Sequence, residues 1–168
     1  RCTLCGACTD ECPTTALELL GTHWRLDDLV AEVAKDRSYF EISGGGVTVS
    51  GGEPVLQATF VASFLERCRS LGLHTALDTC GMCSASSLET LASRADLVLY
   101  DVKEIDAERH ARFTGQSNTK ILSNLIDLGE RLRRSSNAAE LWIRTPLIPG
   151  ATDTDENIRG IGAFLLRN

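Results

Sequence analysis

The sequence predicts an α/β fold built on a parallel sheet, and three observations lead to it. Short β-branched or apolar runs alternate with stretches whose apolar residues recur at helical spacing. The connections between them are short, which makes successive strands parallel and joined by right-handed crossovers. With 168 residues, 43% of them hydrophobic, the chain can bury one substantial core.

The elements follow in order. Residues 26–35 read as a helix ahead of the first strand, Val47-Thr48-Val49-Ser50. A helical pattern follows, with Leu56, Phe60, Phe64, Cys68 and Leu71 on one face. His74-Thr75-Ala76-Leu77-Asp78 is the second strand, and residues 84–93 form a short helix capped by Ser84. Residues 96–102 make an apolar buried strand. After a turn, Ile121, Leu125, Leu128 and Leu132 give another helical stripe. Leu141-Trp142-Ile143-Arg144 is the fourth strand. Asp153 followed by Glu156 starts a last amphipathic helix carrying Ile158, Ile161 and Leu165. No internal repeat or low-complexity segment interrupts this order. A boundary near Leu20-Gly21 divides a small cysteine-rich piece, residues 1–21, from the α/β body, residues 22–168.

That small piece opens with Cys2, Cys5, Cys8, Cys12 and Pro13, at C-x2-C-x2-C-x3-C-P spacing. Four thiols so placed can converge on one small volume, the ferredoxin way of holding an iron–sulfur cluster. A disulfide knot fits the spacing and the terminal Cys-Pro poorly. The chain begins inside the run without an initiator Met, so the sequence reads as a fragment of a longer protein. Seven cysteines, an odd number, favour a reducing cytoplasm with thiolate ligands over a secreted disulfide framework. A net charge of −6 argues against a nucleic-acid partner, and no apolar run reaches membrane-spanning length.

Each strand is followed by a chemically loaded turn: Gly51-Gly52-Glu53-Pro54, Asp78-Thr79-Cys80-Gly81, Asp101-Val102-Lys103 and Arg144-Thr145-Pro146. The carboxyl ends of parallel strands share one face, where loops build active sites. One such turn alone is most simply a helix cap or a tight connection. Four at corresponding positions point to a shared site.

At these residues the chain resembles a known family. Gly51-Gly52-Glu53-Pro54 after a strand, behind iron–sulfur cysteines, is similar to the GGEP motif of radical S-adenosylmethionine (SAM) enzymes. Residues 46–54, Leu77-Asp78-Thr79-Cys80-Gly81 and Asp101-Val102-Lys103 resemble more narrowly the activating enzymes of glycyl radical enzymes. The same holds for His110 with Thr114-Gly115-Gln116-Ser117-Asn118, and for Trp142-Ile143-Arg144 with Pro149-Gly150. The best-known member activates pyruvate formate-lyase, and the likeness covers nearly the whole chain.

The resemblance implies a partial, truncated (β/α) TIM-type barrel of parallel strands, with a remnant ferredoxin-like cysteine loop at its N-terminus. It implies that Gly51, Gly52, Glu53 and Pro54 hold the SAM amino group. Glycine carbonyls can approach an ammonium closely, and Glu53 adds charge. It implies that Asp78 and Asp101 hold a monovalent cation that also meets the SAM carboxylate, with backbone oxygens at Thr79 and Leu99 completing the site. A cation between two close carboxylates relieves their repulsion. Lys103 matches a lysine that pairs with the SAM carboxylate. Arg144 matches a cofactor-side arginine, although an arginine on a strand often only pairs with a neighbouring acid.

The departures matter as well. The family's C-x3-C-x2-C loop for the catalytic 4Fe–4S cluster is absent, and Cys68, Cys80 and Cys83 are scattered. The first barrel strand and a C-terminal histidine that contacts SAM are missing too. The polypeptide is therefore expected not to cleave SAM, although its parent is. The cysteine run resembles an insert carrying auxiliary 4Fe–4S clusters. Either all four thiols serve one cluster, or Cys12 serves a second.

The parent is expected to split SAM into methionine and a 5′-deoxyadenosyl radical, which takes hydrogen from a glycine of a partner glycyl radical enzyme. An electron donor such as flavodoxin or ferredoxin is implied. Two alternatives are a radical SAM enzyme acting on a small molecule and an iron–sulfur electron-transfer module. Four loaded strand ends argue against the second. Among lesser features, Cys80 and Cys83 read as ordinary thiols near the site, and Cys68 as a core residue. His110 reads as a helix-surface or packing residue, Asp27-Asp28 and residues 131–134 as solvated faces.

Overall fold

The computed structural model describes residues 3, 5–135 and 139–168. A single helical turn α1 (Ala7–Asp10) lies within the cysteine run. Residues 13–25 have no helix or strand and are exposed. The body then runs α2 (Leu26–Ala34), α3 (Arg37–Ser43), β1 (Gly46–Val49), α4 (Ala58–Ser70), β2 (His74–Thr79), α5 (Ala85–Ala92), β3 (Leu97–Asp101), α6 (Ala107–Thr114), α7 (Thr119–Arg134), β4 (Glu140–Arg144) and α8 (Asp155–Arg167).

The four strands form one parallel sheet in the order β1-β2-β3-β4, the order of the sequence. Gly46 pairs with His74, Ala76 with Leu97, and Leu97 with Glu140. Asp96 fastens the amino ends of two strands: its Oδ2 accepts from Thr75 N at 2.8 Å and from Thr75 Oγ1 at 2.9 Å.

One sheet face is covered and the other is open. Along β3, Val98 and Tyr100 are fully buried while Leu97, Leu99 and Asp101 are half-buried. The covered face packs Leu77, Val98 and Tyr100 against Leu65 of α4, Leu88 and Leu91 of α5, and Ile121, Leu125 and Leu128 of α7. A second cluster joins Val30 of α2 to Phe64, Cys68 and Leu73. The open face carries Trp142, more than half exposed. A parallel sheet with helices packed on one face only is the arrangement of part of a (β/α) barrel with helices outside.

The four expected strands form within a residue or two at each end. Elsewhere the structure departs from the sequence reading. The segment from Pro54 to Gln57 is a 3-10 turn, so Leu56 is left out of α4 and stands exposed. The stretch before Ile121, read as a turn, contains α6, capped where Asp106 accepts from Arg109 N at 2.8 Å. The last helix is capped by Thr154, which accepts from Asn157 N at 3.3 Å, rather than by Asp153. Asp153 instead accepts from Gly150 N in the preceding turn.

Candidate functional site

The carboxyl ends of the four strands bring the loaded turns to one rim. After β1 the chain leaves through Gly51, whose φ of 114° lies in a region that favours glycine. A Cβ at Gly51 or Gly52 would meet nothing within 4 Å, so the space before this turn is open.

Glu53 binds the first turn to the second. Its Oε1 accepts from Thr79 Oγ1 at 2.6 Å, and its Oε2 from Cys80 N at 3.0 Å and Cys80 Sγ at 3.1 Å. Val55 N adds a longer bond to Oε1 at 3.4 Å. Donors of this chain thus take up most of the carboxylate's accepting capacity, while its charge stays at the rim. Thr79 Oγ1 in turn accepts from Gly81 N at 3.0 Å. Gly81 has φ of 69° and faces the ring of buried Tyr100, whose hydroxyl donates to the Ile121 carbonyl at 2.8 Å.

The two aspartates meet through Arg144. Its Nη2 donates to Asp78 Oδ1 and, at 2.9 Å, to Asp101 Oδ1, while its Nε donates to Asp101 Oδ1 at 3.2 Å. The second oxygens are also engaged: Ser50 Oγ donates to Asp78 Oδ2 at 3.0 Å and Lys103 Nζ to Asp101 Oδ2 at 3.1 Å. Two acids, an arginine and a lysine from three strand ends therefore form one chain of charge-assisted bonds.

The positioning roles of several residues were not evident in the sequence. Asn157 of α8, almost fully buried, donates to Lys103 O at 3.0 Å and accepts from Ile105 N at 2.8 Å. Asn118 donates to the carbonyls of Glu104 and Ile105, and Asn124 to those of Gly81 and Cys83. Together they fix the backbones of the second and third turns. His110 is buried, with Nδ1 2.6 Å from the Gln116 carbonyl oxygen. An acceptor there puts the ring proton on Nδ1, and the ring holds the loop between α6 and α7. His110, Thr114, Gln116, Lys103, Asp101 and Cys80 all border a cavity of about 230 Å³.

The thiols divide into two groups. Burial, with the Glu53 carboxylate alongside, pushes the Cys80 thiol up, and burial pushes Cys83 up to about 11. Burial likewise raises Cys68, which is a core residue of α4. In the cysteine run, the backbone N–H of Ala7 lowers Cys5, and that of Leu17, followed by Thr14, lowers Cys12. Cys5 and Cys8 are exposed, and Cys2 lies outside the described residues. Among the described residues, no three His, Cys, Asp or Glu side chains converge as a metal-holding group. Cys5, Cys8 and Cys12 fit an iron–sulfur cluster by spacing, and Cys5 and Cys12 also by the amides that favour their thiolates, without being gathered in advance.

Comparison with known proteins places the fold. Residues 1–159 match the Radical SAM superfamily. The chain is 43% identical to the trans-4-hydroxy-L-proline dehydratase activating enzyme of Clostridioides difficile, over 94% of this chain and 60% of that protein. It is 40% identical to an isethionate sulfite-lyase activating enzyme of Oleidesulfovibrio alaskensis, over 95% of this chain and 51% of that protein. For the pyruvate formate-lyase-activating enzyme of Listeria monocytogenes the identity is 38%, over 86% and 58%. The chain thus spans about half to three-fifths of the length of these curated relatives. A crystal structure of a domain of pyruvate-formate lyase-activating enzyme from Bacteroides vulgatus superposes with a TM-score of 0.64. It is 33% identical and covers 72% of this chain and 71% of that one. Members of the superfamily use SAM and a 4Fe–4S cluster. The chain belongs to the radical SAM superfamily, and within it to the activating enzymes of glycyl radical enzymes.

Proposed function

We propose that this chain carries the SAM-binding rim of an activase that removes a hydrogen atom from a glycine of a partner glycyl radical enzyme. The observation that carries the reading is the convergence of Asp78, Asp101, Lys103 and Arg144 beside the open Gly51-Gly52 turn. A methionine moiety presents an ammonium and a carboxylate from one carbon, and the rim offers partners for both. The carbonyls of Gly51 and Gly52, with Glu53 and Pro54 fixing the turn, receive the ammonium. Lys103 receives the carboxylate, and Arg144 supplies further positive charge. Asp78 and Asp101, with backbone oxygens at Thr79 and Leu99, hold a monovalent cation against that carboxylate. Two carboxylates aimed at one point are a donor set suited to such an ion.

A 4Fe–4S cluster, reduced by a donor such as flavodoxin or ferredoxin, would supply the electron that splits SAM. Cys2, Cys5, Cys8 and Cys12 would hold an auxiliary cluster. Because the sequence has no C-x3-C-x2-C loop, these 168 residues do not by themselves cleave SAM. The open sheet face suits a protein substrate, since an extended loop of a partner can reach the rim across it. Among the described residues no helix is long and apolar enough to cross a membrane. A net charge of −6 disfavours nucleic acid, and the thiols that stand free among the described residues fit a reducing cytoplasm.

Calorimetric titration with SAM tests the reading. Lys103→Ala removes a charge-assisted bond worth about 1.5–3 kcal/mol and should weaken binding roughly 10- to 150-fold. Asp78→Ala and Asp101→Ala should each weaken it as well. Unchanged affinity in all three variants would refute the site.

A further inference from the structure

We propose that Arg144 is the chain's own occupant of the cation position between Asp78 and Asp101, and that a monovalent cation enters by displacing its guanidinium. The inference rests on the cation site put forward above and adds how that site is controlled. One nitrogen, Nη2, reaches Oδ1 of both aspartates, which is the point an ion shared by the two would take. Arg144 and Lys103 already balance the two carboxylates, so an added ion leaves the cluster one charge in excess while the guanidinium stays.

The groups around that point are not equally free to move. Ser50 holds the far oxygen of Asp78 and Lys103 that of Asp101, so both carboxylates stay in place. Among the described residues the guanidinium is tethered only through the acids themselves. The Arg144 side chain is 41% exposed, on an edge strand facing the open side of the sheet. It grips Asp101 with Nε and Nη2 but Asp78 with Nη2 alone, so release begins at a single hydrogen bond. A freed guanidinium can then turn to an anionic ligand at the same rim. Binding of the cation and exposure of Arg144 are two sides of one exchange.

Two measurements on the full chain test this, neither of which reads activity. The first follows thermal unfolding against KCl at constant ionic strength, with choline chloride as the balancing salt. Arg144→Gln should be stabilised by potassium at a concentration at least tenfold lower than the wild type requires. The Asp101→Asn/Arg144→Gln double variant should lose that response. Equal responses in wild type and Arg144→Gln would overturn the displacement and leave the cation site standing. No potassium-specific response in either protein would overturn both. The second measurement needs no variant. Potassium should accelerate phenylglyoxal modification of Arg144 in the wild-type chain several-fold, read by peptide mass spectrometry. A potassium-stabilised protein whose Arg144 reacts at the same rate as in choline would refute the exchange.

Discussion

The hydroxyl of Thr79 donates to Glu53 Oε1 at 2.6 Å, so a hydrogen bond to a carboxylate joins the turn after β1 to the turn after β2. The same oxygen of Thr79 accepts from Gly81 N, which makes it the link between the rim and the buried Tyr100 beneath. The rim is thus held by the chain's own polar groups before any ligand arrives.

Thr79→Val keeps the shape and removes that link. Thr79 is almost fully buried, so the variant strands the Gly81 amide as well as losing a bond to a charged acceptor. Equilibrium urea unfolding should show a loss of about 1.5–3 kcal/mol, with Thr79→Ser losing clearly less. A Thr79→Val chain as stable as the wild type would mean that water replaces the hydroxyl.

Gly81→Ala should be severe. The new Cβ would stand 1.7 Å from Tyr100 Oη and 2.3 Å from Cζ, and the backbone is left-handed there. Left-handed strain and overpacking together predict a loss of roughly 2–5 kcal/mol. Adding Tyr100→Phe removes the hydroxyl but not the ring carbon, so the double variant should recover little. Full recovery in that double variant would show that the oxygen alone is the obstacle.

Thiol chemistry should separate the cysteines. Cys5 and Cys12 are favoured as thiolates by amide donors, whereas Cys80 and Cys83 are held protonated by burial. With iodoacetamide at pH 8, mass spectrometry should find Cys5 and Cys12 alkylated well before Cys80 and Cys83. The linkage has a sign. A thiol raised to about 11 in the folded chain keeps its proton where the unfolded thiol, near 9.0, has lost it. Its contribution is complete below pH 9 and disappears as pH rises toward 11. Stability should therefore fall over that window, and Cys83→Ala should flatten the fall.

The strands and most helices were legible because burial on one side imposes a period that the sequence must carry. Val98 and Tyr100 against Leu97 and Leu99 show it directly. The helix α6 was not, because its stretch has few apolar residues and buries only His110. Its better signals were the cap Asp106 and the left-handed Gly115 at its end. The rim residues were legible as a set, since charged side chains at strand ends have few reasons to recur. Their partners were not. Ser50, Asn118, Asn124 and Asn157 reach the rim through hydrogen bonds that cross 13 to 54 residues of chain, and no local pattern encodes such a pairing. Arg144 was read as a cofactor-side residue or an ordinary ion-pair partner. That one guanidinium serves both aspartates depends on the stagger of β2, β3 and β4, which composition does not reveal.

The sheet order has a consequence for how the chain comes into being. Among the described residues the four strands pair in the order in which they are made, each on the one before it. A newly synthesised βα unit can therefore dock on the growing edge as it emerges from the ribosome, with no earlier strand left waiting for a distant partner. The rim assembles in the same sequence: the Glu53 turn first, its Thr79 clasp next, Asp101 and Lys103 after them. Arg144 arrives last and closes the charge balance between acids that until then face each other unneutralised except by Lys103.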